Sequence, residues 1–148
     1  MEHSHLVTGC FCFLLGACAT AAVSATASDA PSMAPTIVKL DAAPSGVAPP
    51  KTATIRHLAR GANAYVGHLT MQAGAKVPVH RDASEEFIHV LAGSGTITID
   101  GVASEISVGD TIYMPANAEV TFQNGDAEMV GLQVFAGPES AKKYEAWK

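Results

Sequence analysis

Short runs of alternating apolar and polar residues, separated by turn residues, make up most of the chain after position 52. The run YVGHLTM at 65–71 alternates in this way, as a strand does when one face is buried and the other is not. Asp100-Gly101 and Asn124-Gly125 each stand between two such runs, which predicts two tight hairpins. We therefore predict seven or eight short strands in an all-β fold, a small closed barrel of the jelly-roll type.

The two ends of this region are less regular. TIVKL at 36–40 predicts a first short strand, and the Pro-rich segment after it predicts a loose connection. The tail GPESAKKYEAWK predicts a short C-terminal helix, because Pro138 suits a first helical turn and Tyr144 and Trp147 share one side. We expect this helix to close one end of the barrel, within a single domain at 36–148.

The first 27 residues differ in character from the rest. The run at 6–23 is apolar without a charge, and small residues follow it, which is typical of an export signal. A membrane-spanning helix is the alternative, but the run is barely long enough, and Gly and Ala dilute its second half. Residues 19–35, rich in Ala, Ser, Thr and Pro, predict a disordered linker.

The tetrapeptide LGAC, which ends at Cys18, resembles the bacterial lipobox, in which the cysteine is acylated. The resemblance implies a signal peptide at 1–18 and a lipid anchor on Cys18. Ordinary cleavage after Ala25 or Ala27 is the alternative, because each closes a small-x-small triplet. Either cleavage implies an exported protein, and the lipobox implies a periplasmic or outer-membrane-anchored bacterial protein that contacts the membrane only through this anchor.

Charge and cysteine content exclude several functions. The 148 residues include nine Lys and Arg against fourteen Asp and Glu, a net charge of −5, with no basic run to follow a phosphate backbone. Nucleic acid is therefore not an expected partner. All three cysteines lie in the first eighteen residues, so the predicted domain has no disulfide and no thiolate metal site.

Three polar residues that could bind a metal lie between two glycines, Gly74 and Gly93. Gly74 is followed after five residues by His80, then by Asp82 and Glu86, and Gly93 comes six residues later. This pattern resembles the first motif of the cupin family, in which the second of two histidines stands where this chain has Asp82. In 109–124 the second cupin motif is matched at its glycine, proline and asparagine, but Asn117 replaces a glycine and Val120 a histidine.

The resemblance implies a single cupin barrel, and in metal-binding cupins three histidines and a glutamate hold the ion. His80 and Glu86 match two of those ligands, and Asp82 is a candidate third, because a carboxylate suits a hard divalent ion. We therefore expect either one divalent ion (Fe, Mn, Ni or Zn) on these three residues or no metal at all. The other reading places Asp82 at the barrel mouth, paired with Arg81 or solvent.

The period of two along a strand assigns the remaining residues to faces. If Glu86 points inward, so do Ile88 and Val90, whereas His89 does not, and Val120 and Phe122 likewise fill the interior. These four apolar residues define a predicted pocket with an acid and a base at one rim, suited to a small molecule with one polar end. Without metal, a buried Glu86 is expected to be protonated or paired with His80.

Phe87 and Leu91 are predicted to lie on the outer face of the same strand. Large apolar groups there indicate a covered surface, and the family resemblance implies a homodimer. Cover by residues 36–58 of the same chain is the alternative.

Two functions remain open. The first is an exported small-molecule binding or accessory module with a partly degenerate metal centre. The second is a metal-dependent enzyme, an oxygenase or isomerase, that uses His80, Asp82 and Glu86.

Overall fold

A computed structural model describes residues 34–148 of the chain. The predicted signal peptide, Cys18 and nearly all of the predicted linker lie outside the described residues. The described part contains ten strands and two 3-10 helices, the first helix at Leu40–Ala42 and the second at Ser140–Ala146. The strands are β1 (Ser45–Val47), β2 (Ala53–Arg60), β3 (Tyr65–Met71), β4 (Lys76–His80), β5 (Glu85–Ala92), β6 (Ser94–Ile99), β7 (Val102–Ser107), β8 (Thr111–Met114), β9 (Val120–Asn124) and β10 (Met129–Ala136).

The strands form two antiparallel sheets. One sheet has the order β1-β2-β3-β10-β5-β8, and the other has the order β4-β9-β6-β7. Apolar side chains from both sheets make one core, in which Ile55, Tyr65, Val90 and Phe135 are almost completely buried. This arrangement confirms the predicted all-β jelly-roll fold, with more strands than expected because several are only three to five residues long.

The hairpin predicted at Asp100-Gly101 is confirmed. These two residues join β6 to β7, which pair from Ile99↔Val102 to Ser94↔Ser107. Both have positive φ angles, 47° and 83°. Positive φ at both central positions belongs to the turn type whose twist matches that of paired strands, and Asp-Gly tolerates it best.

The hairpin predicted at Asn124-Gly125 is wrong. Asn124 ends β9 in the four-stranded sheet, whereas the next strand, β10, lies in the six-stranded sheet. The chain therefore crosses between sheets here. The Asn124 side chain is buried, and its Nδ2 group donates to the carbonyl oxygens of Met71, Gln72 and Ala127 at 3.3, 2.7 and 3.0 Å. Its role is to tie the crossing to the end of β3, because a buried amide must find acceptors.

The first strand was also predicted in the wrong place. Residues 36–39 have no regular structure, and Ile37 is 96% exposed. The first strand is instead Ser45–Val47, which pairs with β2. A Cβ on Gly46 would lie 2.9 Å from the Cβ of Trp147, so glycine is what lets Trp147 pack there. That contact joins the two ends of the domain and is not visible in a local pattern.

The C-terminal helix is present as a 3-10 helix rather than an α-helix. It begins at Ser140, two residues after Pro138, and buries Ala141 and Tyr144. The Trp147 ring meets the Tyr144 ring edge to face, with centroids 4.7 Å apart. Among residues 34–148, no helix is both long enough and apolar enough to cross a membrane.

Candidate functional site

His80, Asp82 and Glu86 come together at one end of the barrel. His80 is the last residue of β4, Asp82 lies in the loop that follows, and Glu86 is the second residue of β5. One potential ligand atom from each lies within 4.8 Å of the other two. The Nε2 atom of His80 and the Oδ2 atom of Asp82 are 3.6 Å apart. The three residues singled out by spacing therefore form one cluster in space.

The loop that carries Asp82 is fastened to the loop between β8 and β9. The backbone N–H of Asn117 donates to the carbonyl oxygen of Asp82 at 2.7 Å. Arg81 donates to the carbonyl oxygen of Asn117 at 2.6 Å and to Glu119 at 2.8 Å. Arg81 therefore pairs with Glu119 and not with Asp82. Asn117 has a φ of 64°, which explains why asparagine can stand where the cupin motif has a glycine.

Val120 lies directly opposite His80 on the neighbouring strand. Directly opposite residues of antiparallel strands share a face, so a buried valine stands beside the imidazole where the motif has a histidine. Phe122 and Val90 are also buried, and Ile88 is half-buried and packs on the core. The four residues of the predicted pocket are thus buried or half-buried and belong to the core of the barrel or pack on it. Two surface depressions lie elsewhere, one at Leu40, Asp41 and Arg56 and one between residues 47–51 and the C terminus.

Glu86 is the buried acid of the cluster. It is 4% exposed, and burial raises its pKa to about 7, an effect that the Lys143 charge and the Gln133 hydrogen bond oppose and that Asp82 reinforces. The amide of Gln133 donates to its Oε1 atom. The partner of this carboxyl group is therefore Gln133 on β10, not His80.

Gln133 and Tyr144 extend the polar group into the barrel, and sequence reasoning missed both. The Tyr144 hydroxyl donates to Oε1 of Gln133 at 2.5 Å. Burial, and then the Glu86 charge, raise the pKa of Tyr144 well above its ordinary value, so its proton stays in place. The signal for Gln133 was a glutamine on the inward face of MVGLQVF, where every other inward residue is apolar or glycine.

Lys143 was also missed, and it brings a cation to the cluster. Its Nζ atom lies 2.7 Å from Oδ2 of Asp82. The same ammonium lies 4.8 Å from the ring centre of Phe135 and 5.6 Å from that of Tyr144, distances at which a ring face attracts a cation. Asp82 thus has two neighbours with nitrogen groups, Lys143 and His80.

The proton on the His80 ring is assigned by its neighbour. The Nδ1 atom lies 3.0 Å from the carbonyl oxygen of Pro78. Because a carbonyl only accepts, Nδ1 carries the hydrogen and the Nε2 atom of a neutral ring is left as an acceptor. Nε2 is also the atom nearest Asp82.

These residues supply three donor groups for a metal, but their arrangement does not fit a resident divalent ion. The Asp82 carboxylate is already bound by an ammonium group at 2.7 Å. Oε1 of Glu86 already accepts a hydrogen bond from the Gln133 amide. The fourth ligand position holds Val120. What the cluster does present is a partly exposed base, an ion pair and a buried acid.

Taken together, the two sheets and this cluster define a jelly-roll barrel with a polar site at its mouth. The Cupin domain profile matches residues 67–135, a span that includes His80, Asp82 and Glu86. Among solved structures, the chain is similar to a RmlC-like cupin from Shewanella frigidimarina, with a TM-score of 0.63, 14% identity, and coverage of 70% of this chain and 91% of that one. The chain is therefore similar to cupins in sequence over residues 67–135, and it is similar to a solved cupin in fold over 70% of its length.

Two further similarities are informative. KdgF from Halomonas sp. superposes with a TM-score of 0.65 at 12% identity, covering 70% of this chain and 94% of that one. Over 46 residues the chain is 46% identical to the dimethylsulfoniopropionate lyase DddW of Ruegeria pomeroyi. The matched residues make up 31% of this chain and 30% of the lyase. The chain spans 30% and 53% of the length of the first two curated relatives it matches. The solved structures are similar in fold alone.

Proposed function

We propose that this protein is a small-molecule binding or accessory module of the cupin type, and that its binding surface is the group His80, Asp82 and Lys143 at the barrel mouth. The observation that carries the proposal is an ion pair left accessible above a buried acid. The side chains of Lys143, His80 and Asp82 are 36%, 28% and 15% exposed, whereas Glu86 below them is buried. Accessible polar groups at fixed positions on a packed barrel are suited to orienting a small polar ligand.

The charges favour a zwitterionic or bifunctional ligand. Lys143 and Asp82 neutralise each other in the free protein, and a ligand with one carboxylate and one cationic group could exchange partners with both. The partial similarity to DddW supports this class, because dimethylsulfoniopropionate carries a sulfonium and a carboxylate. The Nε2 atom of His80, held as an acceptor, could receive a hydrogen bond or a proton from the ligand.

To test this, the protein is titrated with dimethylsulfoniopropionate and, in a separate experiment, with propionate. Binding is measured from the NMR chemical shifts of backbone amide and imidazole groups. We expect saturable shifts at residues 80–86 and 143, and about tenfold or greater weakening in Asp82→Asn, because a charged hydrogen-bonding partner is lost. Glu145→Gln, on an exposed residue of the same C-terminal helix, is the matched control. Shifts confined to other parts of the barrel contradict the proposed surface.

A metal-dependent enzyme, an oxygenase or isomerase, is the second candidate. The observation in its favour is that donor atoms of His80, Asp82 and Glu86 lie within 4.8 Å of one another. Elemental analysis of protein purified without chelator or affinity metal tests it. Near-stoichiometric iron, manganese, nickel or zinc that is lost in His80→Ala supports the enzyme and contradicts binding without metal.

Export is a separate proposal that rests on the apolar run at 6–23 and on LGAC. We propose a periplasmic or outer-membrane-anchored protein with an acyl group on Cys18. Fractionation of cells that express wild type and Cys18→Ser tests the anchor. Wild type is expected with membranes and the variant in the soluble exported fraction, and a wild type that is already soluble there contradicts the anchor.

A further inference from the structure

The ammonium of Lys143 binds Asp82, one of the three residues of the cluster His80, Asp82 and Glu86. It is 2.7 Å from Asp82, which is itself 3.6 Å from Nε2 of His80. We propose that Lys143 is a built-in cation that replaces a divalent metal at this site, and that removing it opens the cluster to such an ion.

The charge balance supports this replacement. Two carboxyl groups, Asp82 and Glu86, would be neutralised by the two charges of a divalent ion. In the structure, the Asp82 carboxylate is paired with one ammonium, and Oε1 of the buried Glu86 accepts a hydrogen bond from the Gln133 amide. Both carboxyl groups therefore already have partners from the chain itself.

The position of Lys143 is set by the residues on either side of it. The Ser140 hydroxyl lies 2.5 Å from the Ser84 hydroxyl in the loop before β5. The Tyr144 hydroxyl is bound inside the barrel to Gln133 at 2.5 Å. These two anchors fix the C-terminal 3-10 helix over the barrel mouth, and the rings of Phe135 and Tyr144 lie close to the ammonium. The cation is thus preorganised rather than a chance surface contact.

A metal ion on Asp82 and the ammonium of Lys143 would exclude each other by charge. An ion bound to the Asp82 carboxylate would lie within a few ångströms of the ammonium, and like charges at that distance repel strongly in a partly buried site. Lys143 consequently decides whether this barrel is a metal protein, although it lies outside both sequence motifs.

Calorimetric titration of the full chain with Zn²⁺, Mn²⁺ and Ni²⁺ tests the proposal. Lys143→Met removes the charge and keeps an unbranched apolar side chain over the rings. We expect it to bind one ion about tenfold or more tightly than wild type, the smallest gain that clearly exceeds a loss of surface charge. Lys142→Met is the matched control, because Lys142 is exposed on the same helix and makes no ion pair among the described residues. It is expected to behave as wild type.

Two further measurements keep the outcomes separate. In the double variant Lys143→Met, Asp82→Asn, the gain in metal affinity must be abolished. Circular dichroism must show that each variant is folded. If Lys143→Met does not fold, Lys143→Gln takes its place. Equal affinities in wild type and Lys143→Met, or a gain that survives Asp82→Asn, overturn the proposal. This inference goes beyond the proposed small-molecule binding. Its probes are metal ions alone, so a negative result here does not contradict the proposed binding of an organic ligand, which is tested by its own titration.

Discussion

Glu86 is a carboxyl group on the inward face of β5, and its ionisation costs stability. Its pKa is about 7 in the folded protein, raised mainly by burial from an ordinary value of 4.5. The folded state therefore holds the proton more tightly than the unfolded state does. Its favourable contribution is fully present below pH 4.5 and is lost as the pH rises through about 7.

Glu86→Gln is predicted to remove this pH dependence. Glutamine keeps an oxygen that can accept from Gln133 but has no charge to bury. The free energy of unfolding at pH 8 should rise relative to wild type by up to about 3 kcal/mol, while at pH 5 the two proteins should differ little. Urea denaturation at both pH values measures this.

Wild type and Glu86→Gln must be compared at the same pH, because the contribution of His57 to the free energy of unfolding has the opposite pH dependence. Burial, and then the charge of Arg60, lower the pKa of His57, so it contributes stability that is lost on acidification. Both proteins share that effect, and the difference between them cancels it. Glu145→Gln, on an exposed residue, should track wild type, and an unchanged slope in Glu86→Gln would show that Glu86 does not control the profile.

At the scale of elements, the crossing from β9 to β10 is tied to the rest of the barrel by one buried side chain, that of Asn124. Asn124-Gly125 has the composition of a hairpin turn, yet β9 pairs with β4 and β6, and β10 pairs with β3 and β5. Local composition favours a hairpin, and the demand for two packed sheets overrides it. Asn124 makes the crossing stable, because its amide reaches three carbonyl oxygens that would otherwise lack a side-chain donor.

Asn124→Ala is predicted to destabilise the domain by about 2–3 kcal/mol, because it removes the three hydrogen bonds that the buried amide donates. Chemical denaturation at a single pH gives the value. Asn63→Ala, in the exposed loop before β3, is the control and should change stability by less than about 0.5 kcal/mol. If the two variants lose the same stability, the buried amide is not what holds the crossing.

For the whole molecule, the outer face of the six-stranded sheet at β5 and β8 carries large apolar side chains that residues 34–148 leave partly exposed. The rings of Phe87 and Tyr113 stack there with centroids 5.1 Å apart, and Leu91 and Tyr113 are 47% and 48% exposed. β1 and β2 extend the sheet beyond β3 and do not neighbour β5 or β8. We therefore propose that a second copy of the chain packs on this face to form a homodimer.

Sedimentation of wild type, Leu91→Glu and Val102→Glu tests the dimer. Wild type is expected as a dimer and Leu91→Glu as a monomer, because a carboxylate would be buried without a partner at the interface. Val102 is 69% exposed on the other sheet, so Val102→Glu should remain dimeric. A monomeric wild type at micromolar concentration contradicts this interface.

Alternation and motif spacing in the sequence were sufficient for the strand-rich fold, for the Asp100-Gly101 turn and for the group His80, Asp82 and Glu86. Each of these depends on residues close together in the chain, where the period of a strand acts directly. They also identified Val120 as a break in the metal motif.

Only the tertiary structure decided what that group can do. Lys143 reaches Asp82 across 61 residues of sequence, and Gln133 reaches Glu86 across 47. No local pattern specifies such contacts, because they arise when the C-terminal 3-10 helix closes over the barrel and β10 inserts beside β5. The sequence determined the donor groups of the site by itself. The fold determined that a lysine, a glutamine and a tyrosine would share that site with them.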